Sequence, residues 1–267
     1  MRRPAALAAL LLLTACSPGG CGQTATTPEK KADAPAPGDP TPDPGPATPP
    51  APTPVSWPHD GGGALYPGSG SGATDATLWA VGMRFPMEAG PAYANSQVYG
   101  YGGFAAPGPG GQCDARNYSY PWRDNFCETR SWTNGMCPAG KGHQGQDIRP
   151  ATCEKKVHWV VAAEKGRITS IGSYTVTVLG DSGRIYRYLH MDMPGVNAMF
   201  PNEASRAVTR GQRIGKVSAD FGGSATTIHL HFEIKAPVSN GSGATVMFVP
   251  TYSSLVDSYG RLLNGAG

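Results

Sequence analysis

Near the C-terminal end the residues Ile228-His229-Leu230-His231-Phe232-Glu233-Ile234-Lys235 alternate strictly. A strand's period of two sends Ile228, Leu230, Phe232 and Ile234 to one face, which must be covered, and His229 and His231 to the other. The segments before this run agree with a sheet. Residues 157–163, 167–171, 175–179 and 184–190 are rich in β-branched and aromatic side chains, the composition of strands. The third and fourth are joined by Gly180-Asp181-Ser182-Gly183, turn residues between two β runs and hence a hairpin signal. A loop over 191–206 and a short segment around Ile214 lead into the run 226–236. No amphipathic helix is expected after the export signal. The expected fold class is mostly β: an antiparallel sheet domain with long loops, preceded by a disordered Pro-rich tether.

Composition divides the rest of the 267 residues. Arg2 and Arg3, an apolar run over 5–13 and Cys16 form the tripartite pattern of an export signal over 1–15, and the run is too short to span a bilayer. Residues 24–56 are dominated by Pro, Ala, Thr and Asp without hydrophobic periodicity, so 16–56 reads as an extended linker. At roughly 3.1 Å per residue it reaches on the order of 100 Å. Residues 57–142 are Gly-rich and contain cysteines, which predicts an irregular N-terminal part of the folded domain; 143–267 form its core and C-terminal tail. Trp122 and Trp132 line a substrate groove or, as the default, build a small satellite core. Lys+Arg 22 against Asp+Glu 19 is too even a balance for nucleic-acid binding, and no such partner is expected.

Export to an oxidising compartment makes Cys113, Cys127, Cys137 and Cys153 two disulfides rather than a metal site. Of the three connectivities, Cys113 with Cys127 and Cys137 with Cys153 each close a short loop and are the expected pairs. Cys21 is left over.

Two imidazoles on one face of an otherwise apolar strand are costly as core filler, because each buried ring nitrogen needs a partner. A second cluster is Gly142-His143-Gln144-Gly145-Gln146-Asp147-Ile148, whose glycines argue against a helix. On a loop running into a strand, His143 and Asp147 converge on one ion, and with a further His they make a zinc set that leaves the fourth position open. Taken alone, His143 and Asp147 read as a hydrogen-bonded loop. A third element is Tyr188-Leu189-His190 at the end of a strand. Arg149, just after the second cluster, binds a peptide carboxylate or, as the default, is solvated or paired.

The order His-x-x-x-Asp, Tyr-x-His, His-x-His resembles the lysostaphin/LytM (M23) family of zinc metallopeptidases over roughly residues 141–236. The likeness extends through residues 162–168 and through Gly211-Gln212-Arg213-Ile214-Gly215. It implies that His143, Asp147 and His231 hold one zinc per domain while His190 and His229 stay unbound beside it. On that pattern His229 is the general base and His190 stabilises the oxyanion. The implied activity is an endopeptidase hydrolysing peptide bonds in peptidoglycan stems or crosslinks. Arg149-Pro150 and a cysteine-bearing loop depart from the small apolar residues that often follow the family's Asp. Leu13-Thr14-Ala15-Cys16 resembles the lipobox of bacterial lipoproteins, which implies cleavage before Cys16, its lipidation, and membrane attachment through the lipid in the cell envelope. Ser17 by analogy points to an outer membrane facing the periplasm where the cell has one. The alternative is an ordinary signal cut near Ala15.

Two rival functions remain in view. Gly180-Asp181-Ser182-Gly183 has the look of a serine-protease nucleophile segment, but a turn accounts for it and no other serine-protease motif accompanies it. Some relatives of the family have lost metal ligands and regulate other wall hydrolases. A non-catalytic or latent regulator, held by residues 57–142 folded over the metal or switched by an unknown protein activator, is the alternative function.

Overall fold

The computed structural model of the protein describes residues 57–106, 108–239 and 241–267; the signal over 1–15, Cys16, the linker over 16–56 and Cys21 lie outside the described residues. In chain order the strands are β1 (Tyr93–Ala94), β2 (Gln146–Arg149), β3 (Trp159–Val161), β4 (Gly166–Ile171), β5 (Thr175–Gly180), β6 (Ile185–Leu189), β7 (Ala207–Val208), β8 (Arg213–Lys216), β9 (Ser218–Phe221), β10 (Ser224–Ser239) and β11 (Ala244–Val249). The main sheet runs β1-β2-β10-β6-β5-β4-β7, with β9 and β11 also paired to β10, while β3 pairs with β8 in a separate ribbon. All these pairings are antiparallel. The fold is therefore mostly antiparallel β.

Strand β10 organises the domain because its alternation lets it serve two purposes. Ile228, Leu230, Phe232 and Ile234 are buried in the core beside Ile148, Tyr186 and Tyr188, and their opposite face carries the histidines. β2 on one side and β6 on the other satisfy its backbone groups, as a buried strand requires. The expected hairpin is present: β5 and β6 pair from Thr175↔Leu189 to Leu179↔Ile185. Its turn closes with the Gly180 N–H donating to the Arg184 carbonyl at 2.9 Å, and Gly183 takes φ +83°, which a residue with a Cβ rarely adopts.

Helices appear where none was expected. Residues 193–199 of the expected loop form α1 (Met193–Met199), and α2 (Tyr252–Leu263) closes the chain. Tyr252, Leu255 and Tyr259 of α2 are buried; their spacing of three and then four is helical. Ser253, Ser254, Ser258 and Gly260 hide that pattern because their helix propensity is poor. In the fold all three serines find partners: the Ser253 hydroxyl donates to the Asp75 carbonyl at 3.0 Å, the Ser254 hydroxyl accepts the Ala80 N–H at 3.1 Å and the Ser258 hydroxyl donates to the Leu255 carbonyl at 3.1 Å.

Segment 57–142 is irregular, as its composition predicts, with one short strand and a 3-10 helix at Ala115–Asn117 among the described residues. Trp122 and Trp132 do not form the expected satellite core. Phe85 and Trp122 join the main core, where Trp122 stacks on Tyr259 with centroids 4.5 Å apart and donates its indole N–H to the Ala92 carbonyl at 2.7 Å. The satellite consists instead of Phe126, Cys127 and Cys137. We expect Trp122→Ala to cost about 3–5 kcal/mol, read as a lower denaturant midpoint with an unchanged slope; a shift under a quarter of that size would remove Trp122 as a keystone of the core.

The disulfides pair differently from expectation: Cys113 bonds to Cys153 and Cys127 to Cys137. Loop length misleads because tertiary contacts set which cysteines meet. Arg149, four residues before Cys153, donates from Nη1 to the Gln112 carbonyl at 2.9 Å, which carries Cys113 to the end of β2. Cys127 donates its N–H to the His143 carbonyl at 3.0 Å, and Cys137 donates its own to Asn134, so the shorter loop closes on itself.

Candidate metal centre

Register brings the two motifs together. His231 on β10 lies opposite Asp147 on β2, so a carboxylate and an imidazole share one face of adjacent strands. Gly145 permits the approach of the chain leading into β2: a Cβ there would sit 2.3 Å from the Phe232 carbonyl oxygen. His143 is held just upstream, its N–H donating to the Glu128 carbonyl at 2.9 Å. One ligand atom from each of His143, Asp147 and His231 lies within 4.8 Å of the others, and all three residues are buried. Asp147 Oδ1 is 3.4 Å from His143 Nε2 and 2.8 Å from His231 Nδ1.

The donor chemistry fits a zinc ion: two imidazole nitrogens and one carboxylate oxygen, with further coordination left open. The surrounding contacts fit as well, because metal-binding histidines and carboxylates are normally oriented by partners on their far side. Asn125 supplies most of them. His143 donates from Nδ1 to the Asn125 carbonyl at 3.1 Å, Asn125 Nδ2 donates to Asp147 Oδ2 at 3.0 Å, and Asn125 Oδ1 accepts the Asp147 N–H at 3.2 Å. Asn125 carries no sequence signal, since nothing local links it to residues 143–147.

His190 and His229 stand beside this cluster, their ring centroids 4.7 Å apart. His190 follows the last residue of β6 with φ +67°, a left-handed conformation uncommon outside glycine that surrounding contacts must enforce. Its N–H donates to the Tyr174 carbonyl at 2.9 Å, and its ring lies parallel to the Tyr174 ring at 6.0 Å. Both histidines are anchored alike. His190 Nδ1 donates to the Asp220 carbonyl at 2.8 Å and His229 Nδ1 to the Thr227 carbonyl at 2.9 Å. A carbonyl can only accept, so each neutral ring keeps its proton on Nδ1 and leaves Nε2 bare; His229 Nε2 is 3.4 Å from Asp147 Oδ1. Tyr188, the other named residue of its motif, is structural: its buried hydroxyl accepts the Ala163 N–H at 2.8 Å.

The charges are arranged accordingly. Burial alone would raise the Asp147 carboxyl, but His143 and His229 beside it hold it well below the ordinary range. Burial, reinforced by His229 and His231, drives His190 down to about 2, so its imidazole is neutral. Burial opposes a charge on His231 too, yet its hydrogen bonds to Asp147 and Glu233 outweigh it and push that ring up to about 9.

A groove crosses the cluster. One cavity of about 380 Å³ runs past Thr133, Gln144, Tyr174 and Arg187; a second of about 270 Å³ runs past Gln97, Val98, Phe104 and Arg130. They share Trp132, Phe221, His190 and His231. Trp132 is thus a groove residue, whereas Trp122 is core. Segment 57–142 builds walls of this groove and does not close it. Among the described residues Arg149 is neither solvated nor paired with an acid nor in the groove: it is fully buried, donates from Nε to Asn95 Oδ1 at 3.0 Å and lies over the Tyr118 ring. Arg130 and Arg187 do face the groove; as isolated arginines they carry no spacing signal in the sequence.

Residues 141–244 match the model of Peptidase family M23. No curated protein matches the chain. Among solved structures, a putative glycyl-glycine endopeptidase lytM from Ruminococcus gnavus ATCC 29149 is similar at 15% identity over 68% of this chain and 62% of that one, with a TM-score of 0.39. A zinc containing peptidase from Vibrio cholerae shares 26% identity over 36% of this chain and 29% of that one, at a TM-score of 0.28. Lysostaphin shares 21% over 46% and 49%, at 0.29. This chain therefore spans less than two thirds of the length of each, and at such TM-scores the overlaps carry no argument of their own. On the strength of the family match, residues 141–244 of this chain are a peptidase family M23 domain.

Proposed function

We propose that this protein is a zinc-dependent endopeptidase that hydrolyses peptide bonds in peptidoglycan stems or crosslinks. The observation that carries the reading is the buried His143, Asp147, His231 cluster lying in an open groove beside two histidines whose Nε2 atoms are bare. Zinc held by those three residues would polarise a peptide carbonyl and lower the pKa of a bound water. The remaining work falls to the chain's own side chains. His229 Nε2 accepts a proton while the Thr227 carbonyl keeps its Nδ1–H and ring orientation fixed, and it then holds that proton for the departing amine. His190 stabilises an oxyanion by hydrogen bonding through Nε2; because its Nδ1–H is committed to the Asp220 carbonyl, that role requires a second proton taken up from solvent through the open groove, against the burial that keeps the resting ring neutral. Trp132 and Phe221 flank the substrate chain.

The wall substrate and the location rest on the family reading together with the export signal. Disulfides at Cys113–Cys153 and Cys127–Cys137 agree with an oxidising compartment, and attachment through a lipid on Cys16 is part of the same proposal. The non-catalytic regulator is not favoured, since all five site residues are present and the groove is open. We expect the purified protein to contain one zinc and to release soluble peptides from purified peptidoglycan, a release abolished by a chelator and restored by zinc. A protein that keeps its zinc and cuts no wall preparation would put the regulator reading in its place.

A further inference from the structure

The face of β10 that carries His229 and His231 carries a third polar side chain two residues on, Glu233, and it too is buried. Its Oε1 lies 2.9 Å from His231 Nε2. Its Oε2 accepts from Arg187 Nη1, and Arg187 is the residue directly opposite on β6. A carboxylate placed this deep is tolerated only with both of its oxygens engaged by donors, and sheet register delivers them. The result is a chain of contacts from the groove-facing Arg187 through Glu233 to the far nitrogen of a residue in the metal cluster.

We infer that Glu233 is a positioning residue of the metal centre: by accepting the His231 Nε2–H it fixes that ring's tautomer and rotation, so that Nδ1 is the atom offered to the ion. The inference rests on the proposed metal role of His231 and adds which atom binds and what selects it. His143 and His231 have the opposite arrangement. The partner of His143, the Asn125 carbonyl, sits on Nδ1, so His143 offers Nε2; the partner of His231 sits on Nε2, so His231 offers Nδ1. Both offered nitrogens face the same oxygen, Asp147 Oδ1. Arg187 holds Glu233 from behind, where a bare carboxylate would otherwise be free to turn away from the ring. Outer partners of this kind govern affinity because a ring that can rotate or switch tautomer loses entropy and a proton each time it binds.

The test is zinc affinity, by competition with a chromophoric chelator, for the full exported chain and its Glu233→Ala and Glu233→Gln variants, with nitrogen-15 NMR of the His231 ring in each after loading with zinc. We expect Glu233→Ala to weaken zinc binding about 10–100-fold and to lose the single-tautomer signature of His231. Glu233→Gln, which keeps an acceptor oxygen, should lose less affinity and retain the Nε2–H form. If Glu233→Ala does not fold, the wild-type spectrum and the Gln variant decide: zinc-loaded wild type with His231 coordinated through Nε2 overturns the inference, and so does a folded variant with wild-type affinity and tautomer. Wild-type protein that binds no zinc defeats the metal reading itself, and the inference with it; wild type that binds zinc while Glu233→Ala binds it equally well defeats the inference alone.

Discussion

Replacing His229 with alanine is expected to lower peptide release from peptidoglycan by about 10²–10⁴-fold, the usual worth of a positioned general base, while the protein keeps its zinc. The split follows from geometry. His229 is anchored through Nδ1 to the Thr227 carbonyl and shares no far-side partner with the His143, Asp147, His231 cluster, so its removal takes away a proton acceptor without taking away a ligand. Two measurements on one preparation check this: zinc content by elemental analysis and the rate of fragment release under saturating wall. A variant that loses its zinc would make His229 part of the metal's own support, and a variant that cuts at the wild-type rate would move the base role to His190, whose Nε2 is equally bare. His190→Ala, run alongside, separates those roles, since the loss of either base or oxyanion donor lowers turnover but only the base shifts the pH at which turnover begins to rise.

The second large effect is expected at Asp147. Asp147→Ala should weaken zinc binding by more than about 100-fold, since loss of an outer partner alone costs 10–100-fold and Asp147 is the residue on which the cluster converges. Its Oδ1 faces His143, His229 and His231, and its Oδ2 accepts from Asn125. Without that carboxylate the imidazoles lose the negative charge that draws them together, and Asn125 loses an acceptor inside the protein. The variant should therefore also unfold at lower denaturant, because unpaired buried polar groups are costly. Zinc titration against a competing chelator checks the first effect and a denaturant melt the second. Asp147→Ala that binds zinc as wild type does would exclude this residue as a ligand and leave the cluster without its only oxygen donor.

The parts of the site that were legible are those that local periodicity governs. His229 and His231 fall on one face because side chains of a strand alternate, and the same alternation places Glu233 beside them, although a glutamate on a strand face usually points to water and so carries no signal of its own. Tyr188-Leu189-His190 stands where the hairpin predicts, at the end of β6. The amphipathic spacing of α2 was likewise present but diluted by serines that become useful only once Ala80 and the helix's own carbonyls are there to bond with them. Arg149 reads by default as solvated or paired, with a peptide carboxylate as the other option, because nothing near it in the sequence shows what it meets. In the fold it is buried beside Asn95 and Gln112, residues at sequence distances no local reading spans.

By itself the sequence determined that the chain would build antiparallel strands, that one of them would carry two histidines away from the core, and that a His and an Asp upstream had the right chemistry to join them. These are consequences of backbone period and side-chain type, which a short window contains. The tertiary structure alone decided that Asp147 meets His231, that Asn125 orients His143 and Asp147, that Arg187 stands behind Glu233, and that Cys113 finds Cys153. Each depends on strand register or on the path of an irregular segment, and these are set by how the whole chain buries its apolar surface together.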